Sequence, residues 1–265
     1  MPAEALILSA KAGRGVDEEL GQLIRQLPPV ALAFSGGVDS AYLLYALRAS
    51  EHPFRAYYVA SEFQPAFELK DAECLASELD VPLTVIRLSN LGNNKIAENG
   101  PQRCYYCKKQ IFSHIAERAL ADGFNLLLDG TNADDQVDDR PGMRALTELG
   151  VRSPLREANL SKARIRELSR AAGLFTWDKP AYACLATRIA EGTAIDAASL
   201  ARVEEAENAL SAMGFKDFRC RKLGEAAKLE VNEHDLPLLI QKREQVLAVL
   251  RPYFEQVYLD LKLRN

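Results

Sequence analysis

Apolar and polar positions alternate along this chain with two different periods, and the changes between them mark its elements. From Val16 to Leu27 apolar residues recur at helical spacing, and the continuous apolar run Val30–Phe34 reads as a buried strand. Ser35-Gly36-Gly37-Val38-Asp39-Ser40 follows as a glycine turn, and Ala41–Leu47 resumes as an apolar helix. The alternation then repeats: strand Phe54–Ala60, helix Pro65–Leu79, strand Leu83–Leu88, helix Cys104–Ala121, strand Phe124–Asp129, and a further helix Lys162–Ala172 stopped by Gly173. Strands separated by helices predict an α/β fold with a doubly wound, mostly parallel sheet over residues 1–176. Residues 177–195 have no clear period and read as a linker carrying Cys184. Over 196–265, helix Ala197–Met213, paired strands Phe218–Leu223 and Ala227–Val231, helix Leu236–Tyr253 and strand Val257–Leu263 predict a small C-terminal α+β domain.

In a doubly wound sheet, ligands sit outside the carboxyl ends of the strands. Ser35, Ser61 and Asp129-Gly130-Thr131 all fall there. Glycines let the backbone approach a phosphate closely, and the amides and positive dipole end of the following helix attract it. Ser35, Gly36, Gly37, Asp39 and Ser40 are therefore candidate nucleotide-binding residues. No Gly-Lys-Ser/Thr follows, so the lysine and hydroxyl of a Walker loop are missing from this segment.

Charge and composition narrow the classes. The chain of 265 residues has a net charge of −4, 48% hydrophobic and 26% charged residues, ordinary for a globular protein and without general attraction for a polyanion. Nucleic acid is not an expected partner. The N-terminal segment lacks a basic patch and long apolar core, and no run reaches the length of a membrane span, so a cytoplasmic protein with no membrane association is expected. The acidic residues Asp134, Asp135, Asp138 and Asp139 read as a solvated loop, with a magnesium site as the alternative.

Five cysteines without export signals point to thiol, metal or catalytic chemistry. Cys104 and Cys107 lie three apart at a helix start, so their sulfurs can project to the same side. No second Cys-x-x-Cys or close histidine pair completes a zinc site, and thioredoxin-like exchange is the alternative by spacing. If the linker returns Cys184 over the crevice, three thiolates suit an iron–sulfur cluster with one open iron able to hold an extra sulfide. Cys74 reads as a buried core thiol, and Cys220 as inward-facing between two arginines. Arg219 and Arg221 share one strand face and can grip a phosphate, or simply be solvated; Glu207 and Glu230 read as ordinary surface glutamates that could also orient hydroxyls or a metal. The three histidines stand apart, and surface or packing roles suffice for them.

The Ser35–Ser40 string resembles the pyrophosphate loop of ATP pyrophosphatases, which split ATP between its α and β phosphates. Taken with Asp129-Gly130-Thr131-Asn132, Ala183-Cys184-Leu185-Ala186-Thr187-Arg188 and Phe218-Arg219-Cys220-Arg221 in order, the chain resembles the LarE family over nearly its full length. The resemblance implies an adenine nucleotide α-hydrolase-like fold and an ATP- and Mg2+-dependent sulfur transferase that makes the nickel-pincer nucleotide. A carboxylate of pyridinium-3,5-biscarboxylic acid mononucleotide is adenylated and converted to a thiocarboxylate. Some members sacrifice the cysteine matching Cys184; others, with cysteines matching Cys104 and Cys107 too, carry sulfide on a [4Fe–4S] cluster, and the presence of all three here favours the cluster version, with sacrifice of Cys184 as the alternative. Arg188, Arg219 and Arg221 would bind the substrate phosphate, with Glu207 and Glu230 near it. The same resemblance assigns substrate binding or oligomerisation to the C-terminal domain. A sulfide donor is an implied partner and a homohexamer the implied assembly. A tRNA thiolase and a non-catalytic adenine-nucleotide sensor are the rival readings.

Overall fold

The computed structural model describes residues 15–135 and 141–264. The chain folds as two compact units. The first comprises residues up to Ala60, Ala66–Leu88 and Cys104–Ala181; the second comprises Ser61–Pro65, Ser89–Arg103 and Tyr182 onward. Two short segments of the α/β half of the sequence thus belong to the second unit.

In the first unit, helix α1 (Glu18–Gln26) begins at Asp17, whose carboxylate accepts from the amides of Glu19 and Leu20. It leads into β1 (Val30–Ala33), α2 (Val38–Ala49), β2 (Phe54–Ala60), α3 (Ala66–Glu78), β3 (Leu83–Arg87), α4 (Arg103–Ala121), β4 (Leu126–Leu128), α5 (Pro141–Glu148) and α6 (Lys162–Ala171). The sheet order is β3-β2-β1-β4, and every pairing is parallel. Alternate strand residues face opposite sides, so each face acquires its own core. Val30, Leu32, Phe34, Ala56 and Tyr58 pack with Ile24, Leu43, Leu75 and Ile165 from α1, α2, α3 and α6. On the other face Ala31, Ala33, Tyr57, Val59 and Leu127 pack with Phe112, Ile115 and Ala119 of α4 and Met143 and Leu146 of α5. Helices on both faces of a parallel sheet make this unit the doubly wound α/β fold the pattern predicts. The central strand β1 is buried along its whole length, which explains its unbroken apolar run.

The second unit contains α7 (Ala197–Ala212), β5 (Phe218–Leu223), β6 (Ala226–Val231), α8 (Asp235–Gln241), α9 (Arg243–Leu250) and β7 (Gln256–Leu259). The sheet order is β5-β6-β7, antiparallel then parallel, and α7 packs on β5 and α9. The expected helix Leu236–Tyr253 is two helices, because at Lys242 the backbone leaves helical geometry (φ −97°, ψ 15°). The aperiodic stretch at 177–195 contains two single 3₁₀ turns, Phe175–Asp178 at its start and Leu185–Arg188 within it.

Cys74 corrects the sequence reading. It is exposed, because α3 turns Ala72, Leu75 and Ala76 inward, leaving position 74 on the outer side, where its thiol lies 3.6 Å from Glu78. Cys220 is buried as expected, and burial pushes its thiol pKa up to about 12. No helix among the described residues is long and apolar enough to cross a membrane.

Candidate functional site

The neighbours of β1 are β2 on one side and β4 on the other, so the chain reverses direction across the sheet between β1 and β4. The glycine loop leaves β1 and the Asp129–Asn132 turn leaves β4 at this switch point, where a parallel sheet opens a crevice. Gly36 has a positive φ of +75°, which a side chain would strain. Gly130 comes so close to α2 that a Cβ there would stand 2.8 Å from the Ser40 nitrogen and 3.0 Å from its Cα, so the approach of β4's turn requires glycine. The loop is braced internally. Ser40 Oγ lies 3.0 Å from Ser35 Oγ, accepts from the Ser35 amide and donates to the Gly37 carbonyl. Gly37 caps α2 and offers no side chain to its first amides, which keeps the positive end of that helix available to an anion.

Asp129 and Thr131 shape the turn by bonding each other. The Asp129 carboxylate is buried and accepts from the Thr131 amide, the Thr131 hydroxyl at 2.5 Å and the Ser153 hydroxyl at 2.6 Å. Asp39, in the first turn of α2, is bonded by Lys162 Nζ at 2.6 Å. Burial raises the pKa of its carboxyl while Lys162 opposes that rise. Lys179 reaches the other side of the loop, with Nζ 3.4 Å from the Gly36 carbonyl and 2.7 Å from Asp71. The first unit therefore gathers Ser35, Gly36, Gly37, Asp39, Ser40, Asp129, Gly130 and Thr131. It adds two lysines to which the sequence pattern assigned no role. Asp134 accepts from the Lys162 amide at the start of α6, and Asp135 accepts from the Asn132 amide. Asp134 is exposed and Asp135 half-buried, in keeping with a solvated loop, and both also brace backbone; Asp138 and Asp139 lie outside the described residues.

Ser61 belongs to the second unit, where its hydroxyl donates to Gln64 and accepts from the Asn90 amide group. The loop that carries Cys184 lies in the same unit and is held at many points. Arg188 is 1% exposed and engages four of its five N–H groups: Nε and Nη2 on the Glu207 carboxylate at 2.8 and 3.0 Å, and Nη1 on the Ala183 carbonyl and Thr187 hydroxyl. Its guanidinium also stacks 4.5 Å from the Tyr182 ring centroid. Glu207, 4% exposed, further accepts from the Tyr182 hydroxyl and, at 2.9 Å, from the Cys220 amide. The surface reading of Glu207 is thus overturned: α7 turns it inward, and buried Arg188 balances its charge.

Arg219 and Arg221 flank buried Cys220 on one strand face, as their spacing predicts, yet they differ. Arg221 is bonded to Glu230 and to the Thr187 carbonyl. Arg219 has no hydrogen bond or ion pair among the described residues, and burial together with Arg264, Arg188 and Arg221 lowers its pKa. Glu230, opposite Arg219 in the strand register, works against that fall, and the three neighbouring cations outweigh it in favouring an anion here. Of the three arginines, Arg219 alone among the described residues remains available to a ligand phosphate.

None of the five cysteines is joined in a disulfide among the described residues. Cys104 is exposed and Cys107 half-buried, one turn apart at the start of α4 in the first unit. Cys184 is half-buried, immediately before the turn Leu185–Arg188 in the second. Among the described residues no group of three or more His, Cys, Asp or Glu side chains is set to hold a metal ion. Arg103, next to Cys104 in sequence, donates at 3.0 Å to the Ala186 carbonyl and at 2.7 Å to Asn99, whose amide group binds the carbonyls of Ile189, Ala190 and Thr193. Sequence reasoning missed Asn99, Arg103 and Tyr182. The Asn99-Gly100 pair was the available signal, since Asn99 adopts a φ of +57°.

No protein-family model matches the chain. It is 34% identical over 227 residues to a protein of uncharacterised role from Synechocystis, covering 84% of each. It is 33% identical over 241 residues to the pyridinium-3,5-bisthiocarboxylic acid mononucleotide synthase of Lactiplantibacillus plantarum, covering 90% of this chain and 87% of that one. Over 163 residues, 52% of this chain and 46% of the relative, it is 26% identical to the tRNA-specific 2-thiouridylase MnmA of Pseudothermotoga lettingae. The likeness to the thiouridylase is confined to about half of the chain, whereas the likeness to the synthase spans both units: this chain is an enzyme and belongs to the LarE family, that of the pyridinium-3,5-bisthiocarboxylic acid mononucleotide synthases.

Proposed function

We propose that the protein is an ATP-dependent sulfur transferase of nickel-pincer nucleotide biosynthesis, acting on pyridinium-3,5-biscarboxylic acid mononucleotide. The observation that carries this reading is the 33% identity to the named synthase across 90% of the chain. ATP, with Mg2+, lies at the switch point of the first unit, its phosphates against the Ser35–Ser40 amides and the start of α2. A substrate carboxylate oxygen attacks the α phosphorus, the bond to the β-phosphate oxygen breaks, and pyrophosphate leaves with the bonding electrons. Sulfide then attacks the acyl carbon, AMP leaves, and a thiocarboxylate remains. Arg219 binds the substrate phosphate; Arg188, Arg221, Glu207 and Glu230 hold the strand and loop around it.

Cys104, Cys107 and Cys184 are the residues that would hold a [4Fe–4S] cluster. Two thiols one helical turn apart suit adjacent irons of a cluster. When bound, the cluster would supply the sulfide to be transferred. The acidic net charge and a second unit matched by the synthase favour a small nucleotide over tRNA as substrate.

The test has two parts. Pyrophosphate release that depends on the dicarboxylate nucleotide, with a product gaining one sulfur in place of oxygen, supports the reaction; release without that substrate, or only with tRNA, refutes it. Iron and acid-labile sulfide are then counted in anaerobically prepared wild type and in Cys104→Ala, Cys107→Ala and Cys184→Ala. About four irons per chain, lost in each variant, support the cluster. No iron, with Cys184 losing one hydrogen sulfide on turnover, refutes the cluster and leaves Cys184 as the sulfur source.

A further inference from the structure

The glycine loop has a charge problem that its own sequence does not solve. A site that splits ATP between its α and β phosphates develops negative charge on departing pyrophosphate, yet the one charged residue of Ser35–Ser40 is an acid, Asp39. A cation arrives from a distant part of the chain. Lys162 is the first residue of α6, and its Nζ stands 2.6 Å from Asp39 Oδ2. That position is unfavourable for a lysine taken alone, because the first turn of a helix is its positive end, and no acidic residue in that turn offsets it. The surroundings hold it there nonetheless. Asp134, from the turn after β4, accepts from the Lys162 amide at 2.7 Å; Ser161 caps the helix; and α6 packs on α2, which carries Asp39.

The ion pair is also incomplete. Asp39 Oδ1 is buried with no hydrogen-bond partner among the described residues, while the Lys162 side chain keeps a third of its surface exposed. Lys162 is therefore held at the loop by one carboxylate oxygen and has N–H donors left for a second anion. Lys179, the other lysine at the loop, is turned to Asp71 and the Gly36 carbonyl and is far less exposed.

We propose that Lys162 provides the cation missing from the loop: its ammonium, positioned at rest by Asp39, binds the departing pyrophosphate as the bond between the α phosphorus and the β-phosphate oxygen breaks. This deepens the adenylation reading and rests on it for the moment at which Lys162 acts. No proton changes hands. The lysine stays protonated and stabilises charge that grows only as the bond breaks, so it affects turnover more than ATP binding.

The decisive measurement is binding of pyrophosphate and of AMP, each alone, to wild type, Lys162→Gln and Lys162→Arg, with thermal unfolding alongside. Loss of a charge-assisted bond predicts that Lys162→Gln binds pyrophosphate about tenfold to a hundredfold more weakly, with AMP affinity unchanged and Lys162→Arg near wild type. Turnover of Lys162→Gln should fall by about 10²–10³. Unchanged pyrophosphate affinity in Lys162→Gln, or an equal loss for AMP, overturns the proposal. If Lys162→Gln does not fold, Lys162→Met, which keeps the apolar stem, is read in the same way. Failure of the adenylation reading looks different: wild type would not exchange labelled pyrophosphate into ATP when the dicarboxylate nucleotide is added, whatever the two binding measurements give.

Discussion

Replacing Glu207 by alanine should destabilise the second unit more than any comparable change on its surface. The carboxylate is 4% exposed and balances Arg188, itself 1% exposed, through bonds of 2.8 and 3.0 Å. Removing one partner of a buried pair costs about 3–5 kcal/mol, because the remaining charge has no counterion and cannot reach water. The Tyr182 hydroxyl and the Cys220 amide lose their acceptor too, so the upper end of that range applies. Against a typical total of about 5–15 kcal/mol, this is a third or more of the stability. Thermal unfolding should shift down by about 10 °C or more at the usual few degrees per kcal/mol. The double variant Arg188→Met/Glu207→Leu removes both charges and should recover most of the loss, since well-packed apolar residues often replace a buried ion pair without penalty. A Glu207→Ala shift of less than about 2 °C, or a double variant worse than both singles combined, would refute the argument that these two charges sustain each other.

Other substitutions test the remaining parts. Gly130→Ala should abolish ATP binding while leaving the second unit folded, because its Cβ stands 2.8 Å from the Ser40 backbone nitrogen and displaces the start of α2; calorimetry with ATP checks it. Arg219→Ala should weaken substrate binding about tenfold to a hundredfold with little change in unfolding temperature, whereas Arg221→Ala, which loses Glu230 and the Thr187 carbonyl, should lower that temperature as well. Asp196 caps α7, and bonds from the Ser199 amide and hydroxyl hold its pKa below the ordinary 3.8. Its contribution is present above that value and fades as pH falls through the lower folded pKa, so Asp196→Asn should flatten this part of acid unfolding in urea titrations at low pH.

Local chemistry alone carried a large part of this reading. The unbroken apolar run of β1, the helical spacing of α2 and α4 and the glycine turn between β1 and α2 follow from burial and backbone freedom within a few residues of each position, so the sheet, its two faces and the glycine turn at its switch point were legible in the chain. The inward face of Cys220 followed from strand alternation in the same way. Side chains with two equally regular environments were not legible. Glu207 and Cys74 both lie on amphipathic helices, and the pattern assigned each to the wrong side, because the face a helix presents is chosen by what packs against it. Arg188, Arg219 and Arg221 are chemically identical, and their partners alone distinguish two structural struts from one available cation. Lys162 reaches Asp39 across 123 positions of sequence. Its role emerges only when α6 is laid on α2, since sequence spacing carries no record of distances closed by a parallel sheet and its crossovers.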